Sequence, residues 1–168
     1  MKFKNNLIAF IVIGGLGSLF HFVYGWTNEN MIVGLFFSVN ESVWEHLKLI
    51  FYPALIYFTA EYFITKPKTD NYISQITVSI FYAMATTISL FYIYTGILGF
   101  NVDVINIMIF LLSVIVLIIK RNKIAEEEKF KSKNAKILFI FLLVITAFLF
   151  AVWSYNPPSL GIFTPPVI

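Results

Sequence analysis

Val39-Asn40-Glu41-Ser42-Val43-Trp44-Glu45-His46-Leu47-Lys48 runs without a break into an apolar stretch that ends at Ile64. From Leu47 onward that stretch has about 18 residues, or ~27 Å of helix, close to the ~30 Å hydrocarbon slab of a bilayer. The reading that follows is a membrane-spanning helix with polar residues gathered at one end. At the centre of such a helix each ionisable group would cost ~2.5–3.5 kcal/mol on insertion scales. The depth arithmetic sets Glu45 and His46 at the hydrocarbon boundary instead. There Lys48 can snorkel to water and Trp44 can join an aromatic belt.

The rest of the 168-residue chain is of the same kind: 59% hydrophobic, 12% charged and 18% aromatic, with mean hydropathy +0.83. A soluble domain of this length has too small a core for so much apolar surface, whereas a bilayer takes it up. The net charge of +3 does not point to nucleic acid, because the basic residues are scattered between apolar runs. Cysteine is absent, which excludes disulfides and thiolate–metal sites. Lys2 and Lys4 ahead of Leu7–Leu19 resemble the start of a signal peptide. Phe20-His21-Phe22 is too bulky for the small-residue cleavage site that would follow, so a retained first helix is expected.

Five apolar segments are expected to span, at about 6–24, 40–64, 72–98, 104–119 and 135–153. The fold class is therefore all-α: a polytopic membrane helix bundle forming a single transmembrane domain over 1–168. With five spans, Lys2, Lys4, Lys66, Lys68 and the basic residues from Lys120 to Lys136 fall on one side. Lys48, Glu29, Glu41, Glu45 and Asp103 fall on the other. That asymmetry predicts the N-terminus inside, the C-terminus outside, and a multi-pass protein of the plasma membrane. Asp103 suits the start of its helix as a dipole partner. Residues 31–37 are apolar but too short to span, and are expected in the outer interface or dipping partly inward. Residues 120–133, with Glu126-Glu127-Glu128, read as a mixed-charge, solvated inner loop or a helical extension. The proline-rich tail Asn156–Pro166 is expected to lie outside, extended.

The polar cluster is partly a helix start. Ser38-x-x-Glu41 fits a capping box, with Asn40 as the competing N-cap. On a helical wheel Glu41, Glu45, Lys48 and Tyr52 share one face, and Ser42, His46, Leu49 and Pro53 share another, roughly 100° away. Pro53 is expected to free a carbonyl within the helix. In the first segment Gly14, Ser18, His21 and Gly25 form a stripe with Gly17 beside it, suited to close helix approach. His21 ends that stripe near Tyr24 and Trp26. The candidate polar site is thus His21, Tyr24, Trp26, Asn40, Glu41, Ser42, Trp44, Glu45, His46 and Lys48. His21, Glu45 and His46 are the candidate metal ligands, since two imidazoles and a carboxylate can hold Zn²⁺ with one position open. The two histidines are expected to meet, with Glu41 or Glu45 beside them. The spacing is not H-E-x-x-H, so no metalloprotease motif supports this. In the third segment Gln75, Ser79, Tyr82, Thr86, Ser89 and Gly96 suggest a bundle-facing polar seam.

The elements His21-Phe22-x-Tyr24-x-Trp26 and Asn40-Glu41-Ser42-x-Trp44-Glu45-His46-x-Lys48, with Tyr94-Thr95-Gly96 and the Pro157-Pro158…Phe163 tail, resemble a bacterial membrane family, domain of unknown function 6512. The resemblance covers essentially the whole chain and implies a bacterial integral membrane protein; it brings no activity, substrate or cofactor. From the residues, the leading expectation is a non-catalytic accessory or lipid-contacting membrane protein. The alternatives are a small ion, proton or solute transport protein, and a membrane-embedded metal-dependent or acid/base enzyme. Expected partners are the lipid bilayer and further copies of the chain, with no nucleic acid.

Overall fold

The computed structural model describes residues 2–127 and 129–166, with side chains from residue 5 onward. Glu128 and the side chains of Lys2 and Lys4, used above, lie outside the described residues. Among the described residues six helices are formed: α1 (Lys2–Trp26), α2 (Met31–Gly34), α3 (Val43–Thr65), α4 (Tyr72–Leu98), α5 (Asp103–Glu127) and α6 (Lys133–Trp153), with a 3-10 turn at Gly161–Phe163. Five of them, all but α2, are long and apolar enough to cross a membrane. They are the five segments expected from the sequence, and the protein is a helical membrane bundle.

Side-chain chemistry sets where the helices start and stop. α3 begins at Val43, not at Asn40, because Ser42 is its N-cap: Ser42 Oγ accepts the Glu45 N–H at 3.3 Å. Asn40 sits two residues before the cap, its Oδ1 accepting the Ser42 N–H at 2.8 Å. The expected box at Ser38 and Glu41 does not form; Ser38 Oγ instead donates to the Asn40 carbonyl. α5 runs on past Ile119 to Glu127, so the mixed-charge stretch begins as helix. Lys123 and Glu127 pair there at 3.7 Å with i,i+4 spacing, and Asn71 Nδ2 donates to the carbonyls of Ile124 and Lys129. Asp103 occupies the first turn of α5, as its dipole role requires.

The packing is centred on α3 and α4. Ile50, Phe51, Ala54 and Phe58 of α3 meet Ile80 and Ala83 of α4, Val114 and Leu117 of α5, and Phe150 of α6, all fully buried. α6 is peripheral and buries only Thr146 and Phe150. The buried line of α4 is Ile76, Ile80, Ala83 and Thr87, one residue and so about 100° away from the predicted seam. Gln75 and Ser79 are buried because the first half of α4 is surrounded, whereas Tyr82 and Ser89 face outward. The expected single polar seam is therefore absent among these residues. The hydroxyls of Ser79, Thr86 and Thr87 are used on the carbonyls of Ile76, Tyr82 and Ala83.

One crossing positions everything that follows. Pro53 lies inside α3 and has no N–H for the Leu49 carbonyl one turn earlier. Gly17 of α1 lies against that carbonyl. A Cβ at Gly17 would strike both the Leu49 carbonyl and the Phe110 ring, whereas one at Gly14 would meet only Leu111, at an ordinary 3.7 Å. The close approach foreseen for the small-residue stripe is thus at Gly17.

Residues 31–37 pack alongside the first turns of α3. Tyr52, roughly 13 Å down the helix axis from Val43, donates from its OH to the Leu35 carbonyl at 3.3 Å. The rings of Phe20 and Phe37 are 4.3 Å apart. The tail does not stay extended. Its 3-10 turn buries Phe163 against Trp44 and Trp153, at ring separations of 5.0 and 5.4 Å. An aromatic side chain with a waiting pocket outweighs the extended preference of the prolines around it.

Candidate functional site

Because α1 and α3 run antiparallel across the Gly17–Leu49 contact, His21, one turn after Gly17, comes level with His46, one turn before Leu49. The two imidazoles stack with ring centroids 5.3 Å apart and planes inclined by 29°. Glu41, on the turn just before α3, closes the group: its carboxylate oxygens lie 3.6 Å from His21 Nε2 and 3.4 Å from His46 Nε2. Potential ligand atoms of all three residues fall within 4.8 Å of one another. The histidines are about 70% buried at their side chains and Glu41 is largely exposed, so the group opens to solvent on the Glu41 side.

Each ring has a defined role for its nitrogens. His46 Nδ1 lies 2.9 Å from the Ser42 carbonyl, and only a protonated Nδ1 can bond there. Nε2 is then left to carry either a second proton toward Glu41 or a lone pair toward a cation. This arrangement orients metal-bound histidines in general, with the far nitrogen tied to a carbonyl. His21 Nδ1 is buried without a protein partner. The hydrogen bond with His46 is the largest cause holding the Glu41 carboxyl below the ordinary carboxylate range. Partial burial opposes it, and the His21 charge adds to it. With a depressed folded value, the carboxylate's contribution is present above its unfolded pKa of ~4.3, while the imidazoles are charged, and is lost as pH falls through the folded value.

Glu45 does not join the histidines. It is buried with Lys48, Nζ to Oε2 at 2.8 Å, and Lys48 is fully buried rather than snorkelling outward. Lys48 Nζ also donates to the carbonyls of Gly34 at 2.8 Å and Phe37 at 3.1 Å, and to Ser154 Oγ. Glu45 Oε2 takes the Val39 N–H at 2.9 Å, and Glu45 Oε1 takes the Ser154 hydroxyl at 2.7 Å. The 31–37 segment presents carbonyls with no helical donors, and Lys48 bonds two of them. Tyr155 OH serves the same segment by donating to Met31 O at 2.8 Å.

The remaining candidates separate in the same way. Trp44 packs inward between Phe150, Trp153 and Phe163 and takes no place in an outward-facing belt. Tyr24 lies beside Gly34, whose missing Cβ makes room for it and for Tyr155. Trp26 is 67% exposed and stacks on Phe22, away from the cluster. Ser42 and Asn40 act as caps. Ser154, which links the ion pair to α6, was not foreseen; a serine just past an apolar helix carries no distinguishing signal. At the other end of the bundle Glu61, Tyr72 and Arg121 form a group that was also not foreseen. Its signal was legible: Glu61 is a lone carboxylate near the end of an apolar run, and Arg121 is the one arginine of the chain.

The sequence matches a family described as "Family of unknown function (DUF6512)" over residues 2–167. The chain belongs to this family. No curated protein and no solved structure shows significant similarity to it.

Proposed function

We propose that this DUF6512 protein is a metal-binding membrane protein, with His21, Glu41 and His46 holding a divalent transition-metal ion at the outer face of the plasma membrane. The observation that carries this reading is the convergence of the three donor groups within 4.8 Å. A tetrahedral ion with bonds of ~2.0–2.1 Å needs its ligands about 3.3 Å apart, and Glu41 already stands 3.6 and 3.4 Å from the two imidazoles. The donor set favours Zn²⁺, and three protein ligands leave a position for water, the coordination of catalytic rather than structural zinc. A water activated there would face the aqueous side, so hydrolytic chemistry at the membrane surface is the enzyme form of the proposal. The outward orientation rests on the lysine distribution. The exposed apolar side chains of α6, among them Phe141, Val144 and Phe148, suit contact with lipid.

A second reading is a non-catalytic accessory protein in which the cluster only pins α1 to α3. The bond of His46 to the Ser42 carbonyl favours it, because that bond also closes the first turn of α3. Metal analysis of the purified chain separates the two. The wild type is expected to hold close to one equivalent of zinc after dialysis, and His46→Ala and Glu41→Gln are expected to lose most of it. Equal metal content in wild type and both variants, or none in the wild type, overturns the metal reading and leaves the pinning role.

A further inference from the structure

The opposite end of the bundle carries a second polar constellation. Glu61 near the end of α3, Tyr72 at the start of α4 and Arg121 in α5 meet there. Arg121 Nη2 pairs with Glu61 Oε2, and Tyr72 OH lies 2.7 Å from the same oxygen. The guanidinium rests over the Phe58 ring at 5.0 Å and the Tyr72 ring at 5.8 Å. One side of the Arg121 fork is thereby fixed, and the plane of the group is held. Its Nε–H is buried and has no partner in the protein. A guanidinium is always charged, and leaving one of its buried donors unmade is costly.

A cavity of about 360 Å³ opens beside this arginine. Lys68, Thr69, Asp70, Gln75, Arg121 and Lys131 are among the residues around it, with the Arg121 charge shared with Glu61. The walls are built rather than casual. Asn71, at 1% exposure, accepts from Thr69 Oγ1 at 2.6 Å and from Gln75 Nε2 at 2.7 Å. Its amide holds the chain leaving α5, and Ser74 Oγ holds the Phe130 carbonyl at 2.9 Å. The loop between α3 and α4 is thus fastened to the loop between α5 and α6, with the cavity between them. It lies where three spanning helices begin or end, the level at which a bilayer presents its phosphates.

We infer that this cavity binds a phosphate group, with Arg121 and Lys68 as its principal charged contacts. A guanidinium held in one plane beside ammonium groups is a donor set that recognises phosphate oxygens. The phosphate can belong to an anionic lipid headgroup or to a soluble phosphate compound, and the same contacts serve both. The site is independent of the histidine cluster at the other end of the bundle.

The test is ligand-dependent thermal stabilisation of the purified full chain in non-ionic detergent. The probes are short-chain phosphatidylglycerol, the matching diacylglycerol without phosphate, and inorganic phosphate against chloride at equal ionic strength. Saturable stabilisation by phosphatidylglycerol but not by diacylglycerol assigns a lipid headgroup. Saturation by inorganic phosphate at comparable affinity assigns a soluble phosphate. Lys68→Gln and Arg121→Lys are each expected to weaken binding about tenfold, the usual scale for a charge-assisted hydrogen bond. Arg121→Lys keeps a charge for Glu61 but loses the planar fork, and Lys68→Gln decides if that variant does not fold. No saturable response to either phosphate probe, or unchanged binding in the folded variants, overturns the inference.

Discussion

Glu41 and Glu45 are the same residue type four positions apart, and the protein uses them oppositely. Glu41 precedes the helix, is largely exposed and meets two imidazoles; Glu45 is 1% exposed and bound to a lysine. The helical wheel put them on one face because it assumed that helix begins at Asn40. Ser42 caps the start of the helix after Glu41, so the wheel does not apply to that residue. The Glu45–Lys48 pair has every polar atom engaged, which is the condition for a buried ion pair to persist. Lys48→Met should therefore destabilise the protein by ~3–5 kcal/mol, because Glu45 is left buried without its cation. The double variant Lys48→Met/Glu45→Gln should recover much of that loss. Thermal unfolding in detergent measures both, and a single variant as stable as wild type would refute this account of the pair.

At the scale of elements, the site depends on how closely α1 crosses α3. Pro53 withdraws a donor, the Leu49 carbonyl is freed, and Gly17 offers the backbone that can lie against it. His21 and His46 are level because each is one turn from that contact. Gly17→Val should cost ~1–3 kcal/mol by overpacking and should also lower metal affinity by separating the imidazoles. Gly14→Ala, with only an ordinary 3.7 Å contact ahead of it, should change neither. Parallel unfolding and metal titrations check both expectations; retained metal affinity in Gly17→Val would break the link between crossing and site. The proline and the glycine stripe were each visible in the sequence. Their meeting was not, because it depends on the rotation of one helix about its axis relative to the other.

The whole molecule carries its histidine cluster at one end and most of its lysines at the other, and the lysine count predicts which end is inside. A chain without cysteine makes the orientation directly measurable. Leu160→Cys should react with a membrane-impermeant maleimide on intact cells, and Lys133→Cys should react only after permeabilisation. The reverse pattern would invert the topology and place the histidine cluster inside.

By itself the sequence determined the membrane class, the number of spans and the end at which the histidines lie. These follow from local composition and from lengths measured against a fixed slab, and no knowledge of neighbours is needed. It also singled out Asn40–Lys48 as the unusual stretch. Tertiary structure decided which carboxylate joins the histidines, that Lys48 is buried, that residues 31–37 lie against α3, and that Arg121 lines a cavity. Each of these is a choice among partners distant in sequence: Lys48 chose the carbonyls of Gly34 and Phe37 over water, and Phe163 chose Trp44 over solvent. Such choices are settled by where freed carbonyls, small residues and unfilled space come together, which only the packed bundle defines.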